Sequence, residues 1–189
     1  MVLEGSEREL VVACQRGERE AFRELFETYK DKVYSIALRY SGDPAVAMDI
    51  AQDTFLKLFS SIREFRGDAS FETWVYRLVV NSCLDHKRKY WRLIPLADEF
   101  LTTLRSSADS LAEMLRSEFC ARIRAAVDRL APDLRIAIIL RYTEGLSYSE
   151  IAGVLGCSAG TVASRLNRAH KALERRLSHL AGKKGGSHA

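Results

Sequence analysis

The chain has 189 residues, 47% hydrophobic and 29% charged, and a formal net charge of +4. That mixture belongs to a soluble globular protein rather than a disordered one, and the length suits one ordinary domain or two small helical ones. No apolar run approaches the roughly 20 residues of a membrane span, and the first residues are acidic and polar rather than signal-like. The expectation is a cytoplasmic protein without membrane insertion.

Hydrophobic periodicity near 3.6 runs along most of the sequence, and no convincing alternating strand appears, so the predicted fold class is all-α. Ser6 with Glu9 reads as a capping box opening a first helix to about Arg16. A second helix is expected over about 18–40, with Phe22, Leu25, Phe26, Tyr29, Val33, Ile36 and Ala37 on one face. Asp43-Pro44 pairs a capping residue with proline at the first helical position, so a third helix starts there and continues to about Ile62. Its apolar residues Ala47, Ala51, Phe55, Leu58 and Ile62 lie opposite a polar set, Asp49, Gln52, Asp53 and Lys57. On the residues alone that set reads first as a solvated acidic patch and second as a face that docks on a basic partner.

A loop over 63–69 contains Gly67 and leads to Ser70, a capping candidate with Thr73 nearby. The fourth helix is predicted over about 71–90, with Phe71, Trp74, Val75, Leu78 and Val79 as its core stripe, and it ends in the basic run Lys87-Arg88-Lys89 with Arg92 beyond. A glycine loop bearing an aromatic, beside a helix with a basic end, suits a single nucleic-acid strand. Cations follow the phosphates, and an aromatic or amide pocket accepts an unstacked base. Trp74 falls on the apolar stripe and reads as core, which leaves Phe65 as the better base-contact candidate.

Periodicity weakens over 92–112, where Pro95 and scattered Ser and Thr residues point to a linker. It returns in helices expected over about 113–130, 132–144, 148–155 and 159–180, before a Gly/Lys tail that cannot bury anything. The last two helices flank Gly156-Cys157-Ser158 and form a helix-turn-helix of the kind that enters a DNA major groove. Val162, Leu166, Ala169 and Leu173 form the buried stripe of the final helix. Ser164, Asn167, Arg168 and Lys171 share another face, where arginine suits guanine acceptors, asparagine suits adenine and serine suits phosphate. Thr161 sits near the helix start, where backbone N–H groups meet phosphate.

Cys14, Cys83, Cys120 and Cys157 are scattered, with no pair at zinc-ligand spacing, and the four histidines lack partners at ligand spacing. They read as reduced thiols used as small apolar residues, Cys157 in the helix turn being the most reactive of them. No metal and no cofactor are expected. No nucleophile with its base or phosphate-binding loop stands out, so an enzymatic role is not expected.

Taken together, Asp49-Ile50-Ala51-Gln52-Asp53-Thr54-Phe55, the segment from Phe65 to Arg77, Asn81 with Asp85 to Arg88, and the segment from Gly145 to Arg168 resemble the sigma factors of bacterial RNA polymerase. The resemblance is to the small extracytoplasmic-function (ECF) group of the sigma-70 family. It implies a region 2-like domain over 1–91, a linker over 92–112, a region 4-like domain over 113–180 and a disordered tail over 181–189. The first domain would bind core RNA polymerase (β and β′ subunits) through Asp49, Gln52, Asp53 and Lys57. It would also open the −10 promoter element, capturing single-stranded DNA with Phe65, Arg66, Gly67, Asp68, Ser70 and Asn81, and with Lys87, Arg88 and Arg92 on the backbone. The second would bind the −35 element as duplex through Thr161, Ser164, Arg165, Asn167, Arg168 and Lys171. The resemblance further implies promoter DNA and an anti-sigma factor as partners. Two departures bear on promoter choice: Ala163 stands where family members often carry lysine or arginine, and Val79-Val80 where an alanine–arginine pair is common. The rival readings are a conventional duplex-binding regulator and, more remotely, a nucleic-acid-processing enzyme.

Overall fold

The computed structural model describes residues 5–93 and 111–181. Every described element is helical. The expected linker lies almost wholly outside the described residues, and so does the tail. The helices are α1 (Gly5–Arg16), α2 (Arg19–Ser41), α3 (Pro44–Ser61), α4 (Phe71–Leu93), α5 (Leu111–Asp128), α6 (Pro132–Tyr142), α7 (Tyr148–Leu155) and α8 (Ala159–Ala181), with a 3-10 turn at Ile62–Glu64.

Local chemistry sets the boundaries. Asp43 caps α3 as expected, its carboxylate accepting from the backbone N–H groups of Ala45 (2.7 Å) and Val46 (3.1 Å), with Pro44 following. Such a cap contributes about 1 kcal/mol. Ahead of it, α2 ends on Gly42 at φ 74°, a left-handed position that glycine occupies without strain, and its N–H bonds to the Leu38 carbonyl. Ser70 Oγ caps α4 by accepting from the Thr73 N–H at 3.1 Å.

The first bundle packs α2, α3 and α4 around Leu25, Val33, Ile36, Ile50, Leu58, Phe71, Val75 and Val79, all buried. Fully burying one such side chain contributes about 1.5–3 kcal/mol. The predicted stripe of α2 is only partly interior, because Phe26 is 38% exposed and Phe22 sits at the core's edge. In the second bundle α6, α7 and α8 enclose Ile136, Leu140, Ile151, Val162, Leu166 and Ala169.

The two bundles touch, which the expectation of two tethered domains did not include. α4 packs on α7 and α2 on α6, and the buried residues of both form one continuous cluster. Hydrogen bonds cross the seam. Arg77 Nε donates to the Gly153 carbonyl (2.8 Å), Tyr76 Oη to Glu144 (3.3 Å), and Arg135 Nη1 to the Tyr40 carbonyl (2.8 Å).

Burial keeps several acidic hydrogens in place. The Cys14 thiol is pushed up to about 11 and that of Cys83 to about 12, both chiefly by desolvation. Tyr40 is pushed up to about 12 for the same reason, and Tyr29 and Tyr76 also rise, with Glu7 and Glu144 adding to burial. In each case the unfolded chain ionises first, from about 9 for the thiols and 10 for the phenols. Stability from these groups is therefore complete below those values and is lost as pH rises through the folded values. The melting temperature is expected to fall steadily as pH rises from 9 towards 11; a flat profile in thermal unfolding would contradict this burial pattern.

Candidate functional site

The helix-turn-helix is built by two side-chain caps and one glycine. Ser147 and Glu150 form a reciprocal capping box at the start of α7, with Ser147 N–H donating to Glu150 Oε2 at 2.7 Å and Glu150 N–H to Ser147 Oγ at 3.3 Å. These bonds hold the Glu150 carboxyl below its usual range. Gly156 ends α7 at φ 61°, turning the chain, and Ser158 Oγ then accepts from the Thr161 N–H at 3.1 Å to open α8. On α8, Val162, Leu166 and Ala169 are buried, while Ser164, Asn167, Arg168 and Lys171 are exposed along one edge. Thr161 and Arg165 are half-buried beside them.

Asp133, on the first turn of α6, lies 3.6 Å from both Arg165 Nε and Arg168 Nη2. It was not among the sequence candidates; its place in the first turn of a helix suggested nothing beyond a favourable dipole contact. Here it holds two of the six candidate duplex contacts. Cys157 is half-buried, its Sγ 3.9 Å from Arg165 Nη1, whereas Cys120 is exposed, so access alone favours Cys120 over the thiol expected to react.

On the first bundle, Asp49, Gln52 and Asp53 are exposed along α3, as a docking face requires. Lys57 is half-buried and pairs with Asp85 of α4 at 3.1 Å, which turns it towards the α4 side of that edge. Beside these residues a groove of about 540 Å³ opens between α2 and α3. It is lined by Phe26, Tyr34, Phe55 and Phe59, with Met48 and Leu56 at 62% and 59% exposure, and Gln52 belongs to both the groove and the polar edge. The sequence offered one signal for it: Met48 and Leu56 are apolar residues on the outward side of α3.

In the 63–69 loop, Arg66, Gly67 and Asp68 are exposed and Ser70 is half-buried; Asn81 is exposed about three turns further along α4. Phe65 is not a free loop aromatic. Its ring lies 5.3 Å from Phe71 and 5.3 Å from Trp74, in one cluster with them. Phe65 and Trp74 are both half-buried, so burial does not separate the base-contact candidate from the core one. Gln15 anchors the loop, its amide donating to the carbonyls of Ile62 (3.1 Å) and Phe65 (2.9 Å). It escaped the sequence analysis because nothing in α1 reveals a partner about fifty residues on. The side chains of Lys87, Arg88 and Arg92 lie outside the described residues.

No cluster of three metal-ligating residues occurs among the described residues, and no described helix is long and apolar enough to cross a membrane.

Replacing Asp133 by asparagine is expected to raise affinity for duplex DNA by about threefold to tenfold, because two partly exposed ion pairs no longer compete with phosphate. Fluorescence anisotropy across a salt series checks this. A fall in affinity would show instead that Asp133 aims the two arginines.

Comparison with known proteins places these features in a family. The model of sigma-70 region 2 matches residues 25–93, and that of sigma-70 region 4 matches residues 120–173. The chain is 35% identical over 189 residues to the RNA polymerase sigma-H factor of Pseudomonas aeruginosa, covering 95% of this chain and 98% of that protein. It is 35% identical over 182 residues to the ECF RNA polymerase sigma-E factor of Escherichia coli, covering 90% and 94%. Among solved structures, CnrH in complex with the cytosolic domain of CnrY has the same fold, with a TM-score of 0.66 at 24% identity over 91% of this chain and 97% of that one. The sigma factor RpoE of Bartonella quintana, solved with the anti-sigma factor NepR, gives 0.63 at 23% identity over 83% and 96%. With an exposed polar edge on the second helix of its helix-turn-helix and region 2 and region 4 in that order, the chain belongs to the ECF sigma factors of the sigma-70 family, which direct RNA polymerase to promoters.

Proposed function

We propose a division of labour in which the first bundle binds core RNA polymerase and the opened −10 strand, and the second binds the −35 element as duplex. The observation that carries this reading is that one chain presents two separate surfaces of matching chemistry. One is the Asp49–Gln52–Asp53 edge beside an apolar groove, and the other is the exposed Ser164–Asn167–Arg168–Lys171 edge of α8.

The polymerase face combines two kinds of contact. The carboxylates of Asp49 and Asp53 suit a basic surface of the β and β′ subunits, and the groove takes apolar side chains whose burial supplies most of the affinity. On DNA, Arg168, Lys171 and Ser164 meet phosphates or guanine edges, and Asn167 suits adenine. The exposed loop from Arg66 to Asp68, with Ser70 and Asn81, receives an unpaired base. Binding it offsets the few kcal/mol of unstacking and so favours the base that fits. The chain supplies binding and no catalytic step; bond formation belongs to the polymerase. Its place of action is the cytoplasm, with the polymerase and the chromosome. An anti-sigma factor is a further partner, in keeping with the complexes in which structurally similar sigma factors were solved.

Each DNA surface is small, so either alone binds weakly, and polymerase raises the effective concentration of one element once the other is bound. The test is co-purification of the tagged chain with bacterial core polymerase, beside the variant carrying Asp49→Ala and Asp53→Ala. A stoichiometric complex that the double variant loses by at least tenfold in affinity is expected. A complex that survives would move the docking face elsewhere. No complex, with tight palindromic duplex binding instead, would favour a conventional regulator.

A further inference from the structure

The loop proposed to receive an unpaired base is held by a residue from another helix. That helix, α1 (Gly5–Arg16), lies ahead of the segment 25–93 that the region 2 model matches. Its Val11 and Cys14 are buried in the first bundle, and Tyr29 Oη of α2 donates to Glu7 at 2.7 Å near its start. Gln15 follows Cys14, so that packing fixes its backbone. Its amide donates to the carbonyls of Ile62 (3.1 Å) and Phe65 (2.9 Å), which uses both of its N–H donors. Arg63 touches the same helix end, its Nη2 3.7 Å from where a Cβ on Gly17 would lie.

The loop is pinned at two places and open between them. Gln15 holds its start at Phe65, whose own N–H bonds to the Ile62 carbonyl at 3.1 Å. Ser70 holds its end, accepting from the Thr73 N–H. Between the pins, Arg66, Gly67, Asp68 and Ala69 form no hydrogen bond to any described residue. Nothing lies within 4 Å of a Cβ built on Gly67. The backbone groups of this stretch are therefore open to a ligand, and its course is set by the two pins and by the packing of the Phe65 ring. A loop already held in shape loses less freedom when it closes on a base, and it rejects a base whose edge does not match.

We propose that Gln15 is a positioning residue for base selection: through the Ile62 and Phe65 carbonyls it sets the course of residues 66–69, and with it the discrimination of the captured base. The proposal rests on the assignment of that loop to the −10 strand. Gln15 acts through backbone carbonyls and not on the DNA itself. It makes α1 part of the promoter-reading machinery, so a change there alters which base is chosen and leaves polymerase docking and duplex binding as they are.

The test assembles the full chain with core polymerase, binds a pool of random 12-nucleotide single strands and sequences those retained. The unchanged chain should enrich a preferred base at one or more positions. Gln15→Met has similar length and no donor. It should weaken that preference at one position by about threefold to tenfold, as freeing one or two loop residues implies, at unchanged affinity for core polymerase and for duplex DNA. Gln15→Arg, whose guanidinium can donate to both carbonyls, should restore the preference. Gln15→Glu, of the same shape without the donors, repeats the measurement if methionine disturbs α1. Equal preference in Gln15→Met and the unchanged chain would overturn the proposal. So would Gln15→Arg selecting no better than Gln15→Met, or a parallel loss of polymerase and duplex binding, which marks a residue needed only for folding. No preferred base with the unchanged chain would defeat the strand assignment, and this proposal with it.

Discussion

Arg135 joins the two halves of the molecule. Its guanidinium lies among buried side chains, donates to the Tyr40 carbonyl near the end of α2 and faces Asp128 at 3.6 Å near the end of α5. The ring of Tyr40 lies 5.7 Å from it, so the same residue supplies a carbonyl and an aromatic face. Asp128 in turn approaches Gly42, where an added Cβ would come within 3.6 Å of a carboxylate oxygen. The end of α2, the end of α5 and the start of α6 therefore meet at one charge. Around it the apolar interiors of the bundles run together, and α7 comes to rest on α4.

This arrangement explains why the functional surfaces differ so much in character. The face proposed for polymerase docking, on α3 and the α2–α3 groove, is open in the structure. The outer edge of α8 is open too, apart from the two arginines that Asp133 engages. On α4, Arg77, between Ser70 and Asn81, is engaged by the Gly153 carbonyl of α7.

Much of the fold was legible because helix ends carry their own chemistry. Asp43-Pro44 and the Gly156 turn each fix a boundary within a few residues, and α7 spans the residues its sequence predicts. The buried stripes of α3 and α8 followed from spacing in the same way. What escaped depends on partners distant in sequence. Arg135 sits in an apolar helix and looks like an ordinary exposed cation until Tyr40 is placed beside it. Gly153 looks like a weak point of a short helix until α4 approaches. Phe26 fits the periodic stripe of α2 yet lines an open groove, because periodicity reports a face and not what covers it. Phe65 looks like a loop residue by position, but Phe71 and Trp74 draw its ring inward. Among the site residues the exposed polar sets were readable by type and spacing, whereas Asp133 and Gln15 act on distant segments and left no mark in their own.

The central claim is that this chain confers promoter choice on a polymerase that otherwise lacks it. The most direct measurement is to transcribe a library of bacterial genomic fragments with core polymerase, with and without the chain, and to sequence the RNA 5′ ends. The account predicts discrete start sites that appear only when the chain is present and that share two upstream sequence elements at constant spacing. The same 5′ ends with and without the chain would contradict it.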